Sequence, residues 1–128
     1  MININSLTIS MKLPSLNEVI DVNRTNRHQG ARYKKEIEEL IGWYIKQDLT
    51  KGCLKPTQKP CEIYFEWHES TKRRDVDNIQ SSQKFVLDAL VENKVLKNDS
   101  RRYVKQIYHT VVNDASDFVR VRIEEIKE

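Results

Sequence analysis

"CEIYFEWHES", residues 61–70, runs straight into "TKRRDVDNIQ", residues 71–80. In the first stretch Cys61, Ile63, Phe65 and Trp67 alternate with Glu62, Tyr64, Glu66 and His68. That two-residue period marks a strand with one face in a core. The second stretch sets Lys72, Arg73 and Arg74 directly before Asp75 and Asp77, with Asn78 behind them. A strand that ends in such a corner and leads into a helix presents charged groups at the rim of a core.

Working outward, "SLTISMKLP" alternates Leu7, Ile9, Met11 and Leu13 and predicts a strand stopped by Pro14. Residues 15–31, with few apolar anchors, suit a long functional loop. Helical spacing of Ile37, Leu40, Ile41 and Tyr44 predicts a helix from about Arg32 to Leu49. A second helix covers Asn78–Asn93, with Ile79, Val86, Leu87 and Leu90 on its buried side. Past the loop "VLKNDSRRY", the segments "YVKQIYHTVV" and "DFVRVRIEEI" read as an antiparallel hairpin turning at "NDAS". The order β-α-β-α-β-β describes an α+β (mixed α/β) domain spanning residues 1–128, its sheet packed by two helices. Trp43 and Trp67, both in patterned elements, are expected in the core or at a subunit contact.

Composition narrows the class. The 128 residues are 38% hydrophobic and 32% charged, so the core is small and much of the surface is solvated or faces a ligand. Net charge is only +3, but basic residues bunch at 32–35, 72–74 and 101–105, which points to an anionic partner. Two cysteines without metal-type spacing imply reduced thiols and a cytoplasmic setting. No apolar run is long enough to span a membrane, and "MININSLTIS" lacks the charged start and apolar block of a signal peptide. His28, His68 and His109 are scattered without zinc-ligand spacing, and no glycine-rich phosphate loop is present. No small-molecule cofactor is expected.

One of the two aspartates is explained by helix capping, and Asp77 with Gln80 resembles a capping box. Capping accounts neither for a second carboxylate nor for the basic triplet. Two carboxylates at i and i+2 in extended chain point the same way and suit Mg²⁺, which takes hard oxygen ligands beside waters and phosphate oxygens. On a helical wheel Asp77, Ser81, Lys84 and Asp88 share one polar line, and an ammonium at Lys84 suits charge developing on a phosphate. Asp99, in an arginine-flanked loop, is the natural third carboxylate.

"RRDVDNIQSSQKFVLDALVENKVLKNDSRRYV" resembles the core of the RusA-type Holliday-junction resolvases. The shared pattern is D-x-D-N at Asp75, Asp77 and Asn78, then Lys84, then D-A-L at Asp88, Ala89 and Leu90, then Asp99. Pro14, Ser15 and Asn17 are similar to the family's P-S-x-N entry. The resemblance implies a homodimeric endonuclease that uses Mg²⁺ to cut branched, four-way DNA, and whether Mn²⁺ substitutes is left open by the sequence. It implies that Asp75, Asp77 and Asp99 hold the metal and that Lys84 assists at the scissile phosphate. Lys72, Arg73, Arg74, Arg101 and Arg102 then contact DNA, with Asn17, Arg24 and Lys34 continuing the track. Two departures stand out. The family's lysine position, three after the asparagine, is Ser81 here, as if three residues had been inserted before Lys84; and Asn98 stands where members often carry a further aspartate. A branched-DNA-binding protein of the same fold without cleavage is the alternative.

A continuous helix over 78–93 is about 24 Å long, while the chain from Asn93 to Asp99 stretches at most about 20 Å. On that arithmetic Asp99 returns to its own Asp77 only if the loop runs straight back along the helix or the helix is shorter, and is otherwise expected to serve the site of a partner subunit.

Overall fold

The chain was analysed as a computed structural model that describes residues 5–126. The signal-peptide reading falls partly on residues 1–4, outside the described residues. The elements are β1 (Asn5–Ile9), α1 (Leu16–Thr25), α2 (Arg27–Lys51), β2 (Cys61–Glu69), α3 (Val76–Gln80), α4 (Gln83–Glu92), β3 (Val104–Asn113) and β4 (Phe118–Glu125). They build a single α+β domain around one mixed sheet in the order β1-β4-β2-β3.

The expected alternation of β2 holds. Cys61, Ile63, Phe65 and Trp67 are all buried to 2% exposure or less, and they join Leu7, Ile9, Val119, Val121 and Ile123 from the neighbouring strands. Ile37, Ile41 and Ile45 of α2 and Phe85, Val86 and Leu90 of α4 close the same cluster. Each such side chain contributes about 1.5–3 kcal/mol relative to exposure. The opposite face is polar and aromatic. Tyr64 stacks on Tyr108 at 4.7 Å, the Arg122 guanidinium lies 4.3 Å above Tyr64, and His68 stacks on Phe118 at 3.8 Å.

Four expectations need correction. The last two strands are not a hairpin: β2 lies between them, parallel to β3 and antiparallel to β4. Skipping one strand means crossing about 10 Å, well within reach of the chain from Asn113 to Phe118, which can span roughly 17 Å. β2, apolar along its inward face, takes the central place that buries it best. Residues 15–31 are not a loop but α1 and the start of α2. Ser15 caps α1 by accepting from the Glu18 amide, and Asn26 caps α2 by accepting from the His28 and Gln29 amides. The helix expected over 78–93 is broken at Ser81 and Ser82 into α3 and α4. Finally, β1 ends at Ile9, although Leu13 beyond it is buried.

The aromatic assignments divide. Trp67 is core, whereas Trp43 and Leu40 are about half exposed, because the inward stripe of α2 runs through Ile37, Ile41 and Ile45 instead. Gly52, at φ 81°, ends α2 in the left-handed conformation that glycine adopts without strain.

Candidate active site

β2 delivers the chain to the site. Beyond Glu69 a short irregular segment carries Lys72, Arg73 and Arg74, and α3 then begins with Asp75 at its N-cap. Asp75 is extended (φ −71°, ψ 155°) while Asp77 lies in the first helical turn. The aspartates therefore flank a strand-to-helix corner rather than sharing one face of an extended chain. Asp75 makes no capping bond. Both residues are exposed, and neither carboxylate has a hydrogen-bond or ion-pair partner among the described residues. The capping box expected of Asp77 with Gln80 is not formed, because the N-cap position falls to Asp75 and Asp77 lies inside the helix.

Polar bonds fix the corner from behind. Arg74 donates from Nε and Nη2 to the two oxygens of Glu69, each at 2.9 Å, and from Nη1 to the Leu13 carbonyl at 2.9 Å. Ser82, fully buried at the break between α3 and α4, donates to the Pro14 carbonyl at 2.7 Å. Asn17 Nδ2 donates to Asn78 Oδ1 at 2.8 Å. The P-S-x-N entry is therefore a brace against the D-x-D-N corner, and Asn17 acts on Asn78 within the fold. Arg74 changes role as well: a guanidinium held on three bonds with its side chain 13% exposed is engaged inside the protein, not offered to DNA.

Lys84, on the first turn of α4, bonds Asp88 Oδ1 at 2.9 Å and Asp99 Oδ2 at 3.1 Å. Hydrogen bonds to Asp88 and Asp99 hold its ammonium above the usual lysine range. The argument for a partner's Asp99 loses its premise here, since the helix is broken and the chain returns along α4 to its own Lys84. The apparent three-residue insertion coincides with the break at Ser81 and Ser82, so it ends one helix and starts another rather than carrying Lys84 round a continuous one. The three aspartates do not form one cluster: among the described residues no group of three His, Cys, Asp or Glu side chains is placed to hold a metal. Asp75 and Asp77 remain as a pair of unpartnered hard-oxygen donors. That fits a cation which takes one or two carboxylates and fills its shell with water and phosphate oxygens.

Lys72, Arg73, Arg101 and Arg102 are exposed and make no ion pair among the described residues. Arg102 lies over the Tyr103 ring at 5.6 Å. Arg24 closes the exposed end of α1, and Lys34, on α2, faces Glu38 at 4.0 Å. Two of the three histidines are structural: His109 accepts from Trp67 Nε1 at 2.9 Å and donates from Nε2 to Gln83 Oε1 at 3.0 Å. His68 is held between Glu66 and Asp114. Sequence reasoning missed Glu69 and Ser82. Glu69 continues the inward row of β2, and a carboxylate at a core position is a signal for a buried partner.

A pair of unpartnered carboxylates on a braced corner, with a lysine–aspartate pair on the next helix and free cations on both flanking segments, is the equipment of an enzyme acting on phosphodiesters. The family model of the endodeoxyribonuclease RusA matches residues 14–124, and the chain belongs to that family. No curated protein matches the chain significantly.

Proposed function

We propose that this chain is a homodimeric, Mg²⁺-dependent endonuclease that cuts four-way DNA junctions by paired nicks, in recombination and repair. Beside family membership, the observation that supports this best is the 3.1 Å bond between Lys84 and Asp99, two motif residues joined in space. Asp75 and Asp77 would hold the metal, and Asp99 serves the site of its own chain. When bound, Mg²⁺ activates water and offsets charge on the scissile phosphate. The Lys84 ammonium stabilises charge on the departing 3′ oxygen, leaving a 5′-phosphate at the nick. Lys72, Arg73, Arg101 and Arg102 contact backbone phosphates, which fixes position without reading sequence and suits recognition of junction shape.

The test compares a synthetic four-way junction with a linear duplex, in Mg²⁺ and in chelator, for wild type and Asp77→Asn. Paired nicks that need both the metal and Asp77 support the proposal. Junction binding without nicks in Mg²⁺ or Mn²⁺ would assign the chain to non-cleaving branched-DNA binding. Mixed dimers of Asp75→Asn and Asp99→Asn subunits should stay inactive if Asp99 acts within its own chain; recovered nicking would show that sites are shared between subunits.

A further inference from the structure

Glu69 is a carboxylate with 6% side-chain exposure that the proposed chemistry does not use. Its surroundings explain why it is there. Both oxygens accept from Arg74, its backbone carbonyl accepts from the Asp114 amide at 3.0 Å, and the next residue, Ser70, is bound by Asp117 through its amide at 2.8 Å and its hydroxyl at 2.9 Å. These Ser70 bonds hold the Asp117 carboxyl below the usual carboxylate range. The β3–β4 connection thus anchors one side of the Glu69–Ser70 step, while Arg74, immediately before Asp75, ties the other side to the Leu13 carbonyl.

We propose that Glu69 is a positioning residue for the acidic site. Acting through Arg74, it sets the angle at which the chain enters α3, and hence the separation of the Asp75 and Asp77 carboxylates. The inference rests on the metal-site reading for its consequence but not for its geometry. Between Glu69 and Asp75 lie five residues with no regular structure. Without the bidentate bridge, only the Arg74 bond to the Leu13 carbonyl would hold that segment near its end. A bidentate guanidinium–carboxylate pair fixes direction as well as distance, which a single contact does not. Removing one partner would leave a buried charge, so single variants lose fold stability for reasons unrelated to the site. The informative variant removes both charges.

The experiment uses the full chain as Glu69→Gln, Glu69→Asp and the double variant Glu69→Gln/Arg74→Met. Mn²⁺ serves as the probe, its affinity read by electron paramagnetic resonance. Amide hydrogen exchange in chelator, followed at Ile79 and Ser81, whose amides donate to the Asp75 and Asp77 carbonyls, and at core positions of β2, gives a readout independent of metal. Expected for the double variant is a folded protein whose Mn²⁺ affinity is lower by about tenfold or more, with exchange at Ile79 and Ser81 accelerated at least as much and β2 unchanged. Glu69→Asp, which keeps the charge at shorter reach, should recover part of both. Wild-type affinity and wild-type exchange at the corner in the folded double variant would overturn the inference, as would uniform acceleration across the core. If wild type itself binds no Mn²⁺, the metal-site reading falls, and the exchange data alone decide whether Glu69 sets the corner.

Discussion

Replacing Lys84 with glutamine separates what this side chain does for the fold from what it does for chemistry. Its two ion pairs, to Asp88 and Asp99, are made by a side chain that is 57% exposed. Solvent screening limits such pairs to about 0–1 kcal/mol together. At roughly 2–8 °C per kcal/mol for domains of this general size, Lys84→Gln should melt within a few degrees of wild type. The pH dependence has a definite sign. The folded-state pKa of Lys84 is raised, so its pairing is fully present below 10.5 and is lost only as pH rises through the raised value. The difference in melting temperature contributed by this ammonium should therefore be flat from about pH 6 to 9. Nicking should behave otherwise. An ammonium offsetting transition-state charge is worth about 2.7–4 kcal/mol, or a rate loss of 10²- to 10³-fold. Single-turnover nicking of a four-way junction in Mg²⁺ reads the loss directly. Nicking by Lys84→Gln within about threefold of wild type would refute the reasoning and leave Lys84 as a surface ion pair.

Further outcomes follow from particular contacts. Gly30→Ala should destabilise by about 1–2 kcal/mol, because a Cβ there lies 2.7 Å from the Asn23 Cα and overpacking outweighs the helix-propensity gain; Gly42→Ala, which meets only the Asn93 side chain at 3.2 Å, should be neutral or stabilising in the same thermal melts. Ser82→Ala leaves the Pro14 carbonyl without its donor and should cost about 1–2 kcal/mol by denaturant titration. Native-state thiol labelling near neutral pH should modify the exposed Cys53 and spare Cys61, which is buried and whose thiol burial pushes up to about 11; modification of both at equal rates would contradict that packing.

Much of the fold was legible where one physical rule dominated. β2 alternates because one face meets the core, and the buried row Ile79, Val86, Leu87 and Leu90 follows helical spacing even across the break. The acidic corner was legible from composition, since neither capping nor solvation accounts for Asp75 and Asp77 beside three cations. Other features depend on groups far apart in sequence. That β2 would separate β3 from β4 is decided by which strand gains most from burial, and adjacency in the chain points the other way. α1 was hidden by its polar exposed face, although Ser15 and Glu18 carry a capping signal that Pro14 made easy to pass over. Arg74 looked like a DNA contact because its partner, Glu69, reads as the next residue of an alternating strand.

The strand order bears on when the protein can form. Among the described residues β1 pairs in the sheet with β4 alone, and both neighbours of β2 lie C-terminal to it. Among the named strands a growing chain therefore has no pairing available until β3 emerges, and β1 meets its partner strand only after residues 118–125 have been made. Pairing β1 with β4, more than a hundred residues apart, gives a long loop to close, which slows folding. The corner carrying Asp75 and Asp77 is anchored by the β3–β4 connection, so it too is fixed only after residues 114–117 have been made. A corner built in this order takes its shape only after strands on both sides of it in the sequence have found their places in the sheet.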